Sequence, residues 1–191
     1  MFIGLTGTIG SGKSTVAKIL SQNSNFIIHN SDKIAKDVIN TDEGKKFIIE
    51  NFGEQYIKED NVYYEKLRDV FSDENKLKAL TDYSHPLTEQ EIRNNYVENK
   101  INIVESAILF ETGWDKWCSN VIYVVNINFR RLLKETRNMN DEEIDLVLKI
   151  QNSIPPSKKV AQSKYVVDNS RGMKELVESI NKLSERIIND Q

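Results

Sequence analysis

Short apolar runs alternate along the chain with stretches of helical periodicity. Phe2-Ile3-Gly4-Leu5, Phe26-Ile27-Ile28, Ile101-Asn102-Ile103-Val104, Val121-Ile122-Tyr123-Val124-Val125 and Tyr165-Val166-Val167 read as strands. Between the first two, Val16, Ala17, Ile19 and Leu20 recur on one helical face. After the second, Ile34, Ala35, Val38 and Ile39 do the same, with Ser31 as the expected N-cap. Residues 42–100 are charged and mostly helical, with a helical run from Lys66 to Leu80 and an expected break at His85-Pro86. No convincing strand is visible there, so this region is expected to stand off the sheet as an insertion. Arg130, Arg131, Lys134 and Arg137 follow the fourth strand. A helix then starts near Asn140, carries Ile144, Val147, Leu148 and Gln151, and is expected to stop at Pro155-Pro156. A closing amphipathic helix puts Met173, Leu176, Val177, Ile180, Leu183 and Ile187 on one face. Such alternation predicts an α/β fold, a parallel central sheet with helices on both faces.

Composition narrows the class. The chain has 191 residues, enough for one α/β domain with local insertions. Its 26 basic and 29 acidic residues leave a net charge of −3, which argues against a polyanion-binding protein. No stretch approaches the ~18 apolar residues that a membrane span needs, and the apolar N-terminus lacks the basic leader of a signal peptide. The single cysteine, Cys118, has no internal partner for a disulfide, so a cytoplasmic location is expected. Neither nucleic acid nor a membrane is an expected partner.

The chemistry is concentrated near the N-terminus. Residues 7–14 read Gly-Thr-Ile-Gly-Ser-Gly-Lys-Ser, a complete phosphate-binding loop between an expected strand and an expected helix. In such a loop the backbone N–H groups around Gly10, Ser11 and Gly12 turn inward onto phosphate oxygens, with Thr15 just inside the helix. The helix N-terminus adds partial positive charge. Lys13 can then reach the β- and γ-phosphates of ATP, while the Ser14 hydroxyl can ligate Mg²⁺. A GTPase would also need a D-x-x-G switch and an N-K-x-D base-reading motif, and neither occurs. A small kinase remains, because phosphoryl transfer asks chiefly for positioning and neutralisation of spreading negative charge. The arginines at 130–137 as a set suit a lid, although any one of them alone reads more readily as a solvated helix face.

Other residues admit two readings. Asp32, just past the second strand, either orients and deprotonates an attacking hydroxyl or is a first-turn acid favoured by the helix dipole. Glu105 either holds Mg²⁺ through water or is an ordinary strand-end carboxylate. His85 is either a hydrogen-bonded structural histidine or a contact to the acceptor. Trp114 and Trp117 read as packing residues.

In this order the segments resemble the dephospho-coenzyme A kinases over nearly the whole chain. They are Gly4-Leu5-Thr6-Gly7 with Ile9 to Thr15, Ser31-Asp32-Lys33-Ile34-Ala35, and Leu67-Arg68-Asp69-Val70-Phe71-Ser72. His85-Pro86-Leu87, Leu109-Phe110-Glu111, Gln151 and Val166-Val167-Asp168-Asn169-Ser170 complete the series. The resemblance implies transfer of the ATP γ-phosphate to the ribose 3′-hydroxyl of dephospho-coenzyme A, the last step of coenzyme A synthesis, with ATP and Mg²⁺ as cofactors. It assigns catalysis to Lys13, Asp32 and Arg137, and acceptor contacts to Asp32, His85, Phe110 and Glu111. Apart from the resemblance, the P-loop and the end of the third strand offer Ser14 and Glu105 for metal binding, and fold position alone suggests Asn169, Ser170 and Arg171 for the loop beside the adenine. The implied architecture is a three-layer P-loop kinase domain over residues 1–191. Its core covers about 1–32, 101–128 and 161–191, its helical acceptor-binding insertion about 33–100, and its lid about 129–160. A monomer or weak homo-oligomer is expected. The chain departs from the family pattern at Asn30, where an acid is usual, and at Ala107-Ile108, where Pro-Leu is usual. It departs again at Leu133 and Val147, where arginines are common. Those departures keep a second acceptor class open, a (deoxy)nucleoside monophosphate. A nucleotide-binding regulatory protein without turnover is a third reading, against which the intact Lys13, Ser14 and Asp32 stand.

Overall fold

The computed structural model describes residues 1–190. The chain divides into two compact units, Met1–His29 with Val97–Gln191, and Asn30–Tyr96.

The first unit is built on a five-stranded parallel sheet. Its strands are β1 (Phe2–Gly7), β2 (Phe26–Asn30), β5 (Ile101–Glu105), β6 (Asn120–Val125) and β7 (Tyr165–Asp168), in the order β2-β5-β1-β6-β7. Leu5 stands opposite both Glu105 and Ile122, Gly7 opposite Val124, and Val125 opposite Asp168. The carboxyl ends of β1, β5, β6 and β7 therefore finish at one edge, where open α/β sheets bind ligands. Ile3, Leu5, Ile103, Ile122 and Val124 are wholly buried. Val16, Ala17 and Leu20 of α1 (Lys13–Leu20) and Leu176, Ile180 and Ile187 of α9 (Met173–Asn189) belong to the same core. Met173, expected on that apolar face, is 60% exposed because it sits at the first position of α9, where the helix has not yet reached the core. Helices α6 (Phe129–Arg137), α7 (Asp141–Gln151) and α8 (Pro156–Ala161) lie between β6 and β7 in the chain. Asn140 caps α7 in a reciprocal capping box with Glu143. The two prolines do not stop α7, which ends at Gln151; Pro156 instead opens α8, where its missing N–H costs nothing.

The second unit packs α2 (Ser31–Ile39), α3 (Asp42–Phe52), α4 (Tyr64–Leu67) and α5 (Glu74–Asn94) around Ile39, Ile48, Phe52, Tyr56, Val62, Leu67, Val70 and Leu80. Four expectations fail here, each for a physical reason. Asn30, not Ser31, caps α2, its side-chain oxygen accepting from Lys33 N at 2.8 Å. The single run from Lys66 to Leu80 is divided. Residues Arg68–Ser72 tighten into a 3₁₀ turn, and Asp73 starts α5 by accepting from Asn75 N and Lys76 N. No break occurs at His85-Pro86. Leu80, Ser84, Thr88 and Ile92 form one buried stripe at four-residue spacing through Pro86, and that burial outweighs the roughly 3 kcal/mol an interior proline costs. Finally, a two-stranded antiparallel hairpin is present, β3 (Ile57–Lys58) with β4 (Asn61–Val62). It turns through Glu59 and Asp60 at φ 52° and 60°, without the glycine that signals such a turn in a sequence.

Candidate active site

The phosphate-binding loop leaves β1 at Gly7 and enters α1 at Lys13. Gly12 takes φ 91°, a left-handed conformation that lets the loop close onto the helix, and the amides of Thr15 and Val16 donate back to its carbonyl. A Cβ at this position would lie 2.2 Å from Asn169 Nδ2. Lys13 Nζ donates to the Gly7 and Thr8 carbonyls at 2.8 and 3.2 Å, which folds its ammonium over the loop. Ser14 Oγ donates to Glu105 Oε1 at 2.7 Å. Glu105 is buried at the end of β5, so the strand register sets a carboxylate against the first turn of α1.

That pair fits a magnesium ion. Mg²⁺ prefers hard oxygen ligands and is commonly held by one or two protein oxygens alongside substrate phosphates and water. Two such oxygens meet at Ser14 and Glu105, and no cluster of three or more His, Cys, Asp or Glu side chains exists among the described residues to compete for a divalent ion.

The loop after β7 closes the other side. Asn169 Nδ2 donates to Ser11 O at 2.9 Å, Asn169 N to Val125 O, and Asn126 Nδ2 to Asn169 O. Ser170 Oγ accepts from Ile127 N. Hydrogen bonds from Ser170, with Arg171 nearby, hold the Asp168 carboxyl below its ordinary range; Arg171 itself is exposed. Sequence adjacency thus understates Asn169, which is bonded directly to the phosphate loop.

Helix α6 rests on that loop through an apolar contact. Leu133 is buried, and a Cβ on Gly10 would come within 2.8 Å of its Cγ. Arg130 is engaged by Asp141 and Asp145 and Lys134 by Asp141, which ties α6 to α7. Arg137 is exposed in the last turn of α6, before Asn138 at φ 53°. Gln151 Oε1 accepts from Ile9 N at 2.9 Å, fastening the end of α7 to the phosphate loop.

Phe110 is buried after β5, and Glu111, next in the chain, is paired through Oε1 with the ammonium of Lys159. Tyr123 lies nearby in β6, its hydroxyl 3.4 Å from Thr8 Oγ1. Burial raises its pKa, with the Glu111 charge adding to the effect. Asp32 and His85 belong to the second unit. Asp32 is exposed in the first turn of α2, two residues after the Asn30 cap. His85 is half-buried on α5, and burial lowers its pKa against the opposing pull of Asp82. Within that unit α2 and α5 pack together. Sequence reasoning missed Lys159, because a Lys158-Lys159 pair on a short helix reads as solvated. It also missed the Arg130–Asp145 pair, whose partners are fifteen positions apart.

A family model described as dephospho-CoA kinase (CoaE) matches residues 1–175. The chain belongs to the dephospho-CoA kinase family. It is 31% identical over 198 residues to a dephospho-CoA kinase of Fusobacterium nucleatum subsp. nucleatum, with 98% of each chain covered. It is 32% identical to one of Borreliella burgdorferi, covering 99% of this chain and 95% of the other. Among solved structures, that of TT1252 from Thermus thermophilus superposes with a TM-score of 0.76 at 26% identity, over 96% of this chain and 95% of that one. The kinase family and the P-loop fold therefore agree with the geometry of the sheet edge.

Proposed function

We propose that this protein transfers the γ-phosphoryl group of ATP to the ribose 3′-hydroxyl of dephospho-CoA, giving coenzyme A and ADP. One observation carries the reading. In a chain of this family, the phosphate loop, the Ser14–Glu105 pair and the Asn169 loop converge on one sheet edge. Family membership favours dephospho-CoA over a nucleoside monophosphate as acceptor.

In this reading the loop amides and Lys13 hold the β- and γ-phosphates and neutralise charge as it shifts onto ADP. Lys13 exchanges its contacts with the Gly7 and Thr8 carbonyls for phosphate oxygens. Asn169 and Arg171 border the adenine, Asn169 being rigidly placed by its bond to Ser11 O. Ser14 and Glu105 would hold Mg²⁺, which supplies charge neutralisation on the phosphates when bound. Asp32 takes the proton from the 3′-hydroxyl as its oxygen forms a bond to the γ-phosphorus and the bond to ADP breaks. Arg137 adds charge to the equatorial oxygens in the transition state. Phe110, Glu111 and His85 contact the acceptor, with residues 33–100 forming the acceptor-binding region and 129–160 the lid. We assign the reaction to a monomer or weak homo-oligomer in the cytoplasm.

The test is turnover by purified protein with ATP against dephospho-CoA and a panel of nucleoside monophosphates, with the product's 3′-phosphate identified by mass spectrometry. ATP-dependent conversion of dephospho-CoA alone is expected. Turnover of a nucleoside monophosphate in its place, or none at all, overturns the reading.

A further inference from the structure

Lys159 is 4% exposed, an unusual burial for an ammonium. It sits on α8 and donates to two groups, the Glu111 carboxylate through Oε1 and the backbone carbonyl of Gln151 at the end of α7. A buried lysine with a flexible stem is costly to keep unless its charge is matched and its donors are used. Here both conditions hold. The Gln151 carbonyl fixes the ammonium, and Gln151 is itself fixed through Ile9 N. The ammonium in turn fixes one oxygen of Glu111.

The other oxygen of Glu111 is the informative atom. Oε2 is buried with no hydrogen-bond partner among the described residues. A carboxylate oxygen withdrawn from water in this way costs free energy that a bound donor would recover. Lys159 and Gln151 thus lock the carboxylate by one oxygen and leave the other without a donor among the described residues. Resting on the reading of Glu111 as an acceptor contact, we propose that Lys159 is a positioning residue for dephospho-CoA. It acts only through Glu111, presenting Oε2 to a donor group of that substrate. Lys159 does not touch substrate, and its effect is on acceptor affinity and not on ATP.

The full-length chain is assayed as Lys159→Met, Glu111→Gln and the double variant, with KM measured separately for dephospho-CoA and ATP. Each single variant should raise KM for dephospho-CoA by about tenfold or more, the scale of losing a hydrogen bond to a charged group. KM for ATP should stay within about twofold, below the tenfold that 1.4 kcal/mol represents. The double variant should match Glu111→Gln alone. A merely structural lysine would add its own loss in both backgrounds and move both constants together, and either outcome overturns the proposal. So does an unchanged KM for dephospho-CoA in Lys159→Met. Where either single variant fails to fold because its partner's charge is left buried and unpaired, the double variant, which buries no unpaired charge, is compared with wild type. A raised KM for dephospho-CoA with KM for ATP within about twofold supports the proposal, and an unchanged KM for dephospho-CoA or a parallel loss in both constants overturns it. Wild-type protein that does not turn over dephospho-CoA overturns the functional reading itself, and the inference with it.

Discussion

Gly12→Ala should damage the phosphate loop by two separable routes, and the structure gives a magnitude for each. At φ 91° and ψ 25° the residue is in left-handed backbone, which costs an L-residue about 1–2 kcal/mol. The new Cβ would also lie 2.2 Å from Asn169 Nδ2, closer than atoms approach without moving. Asn169 must swing away, and its bond to Ser11 O at 2.9 Å is lost, at about 1 kcal/mol. The total is about 2–3 kcal/mol, or a fall in melting temperature of very roughly 5–10 °C for a chain of this size. Urea denaturation of wild type, Gly12→Ala, Asn169→Ala and the double variant separates the two routes. In the Asn169→Ala background the alanine should cost only its backbone part, about 1–2 kcal/mol. Equal costs in both backgrounds would refute the steric part. A cost under about 0.5 kcal/mol in the wild-type background, the level of an ordinary surface change, would refute the reasoning altogether.

Other expectations are as direct. Asp32→Asn should leave ATP affinity by calorimetry near wild type and lower kcat by about 10²-fold or more, the scale of losing a positioned base; parallel loss of both would make Asp32 a nucleotide contact. Arg137→Ala should lower kcat more than KM for ATP, as expected of a contact made in the transition state. Arg130→Ala should be milder in single-turnover assays, since that guanidinium is engaged by Asp141 and Asp145. The His85 pKa is lowered by burial, so the folded state favours the neutral ring and binds fewer protons than the unfolded chain near the ordinary value of 6.5. Its contribution to stability is therefore present above that value and declines as pH falls through the lower folded pKa. His85→Gln should flatten the stability profile below pH 6.5, measured by denaturation, and an unchanged slope would show that burial does not act on this ring.

How much of this was legible in the chain depends on how local its cause is. The strand runs, the phosphate loop and the start of α7 near Asn140 are encoded within a few consecutive residues, and each stands where the pattern predicts it. The parallel sheet follows from their alternation, because parallel neighbours need helical crossovers between them. By contrast, α5 runs through Pro86 because a buried stripe outweighs a local breaker, and the hairpin at Ile57–Val62 has a turn with no glycine to announce it. The candidate site divides in the same way. Gly12, Lys13 and Ser14 are written as a motif, since phosphate binding uses consecutive amides. Strand register set Glu105 beside Ser14, and it brought Asn169 onto Ser11 across 158 positions. Lys159 lay furthest from view. Its residue type and neighbours describe a solvated lysine, and only the packing of α7 and α8 removes it from water and turns its charge onto Glu111. Local chemistry determined the elements and the phosphate loop, while the partners of buried charges were decided by tertiary packing, because burial is a property of the whole fold and not of a segment.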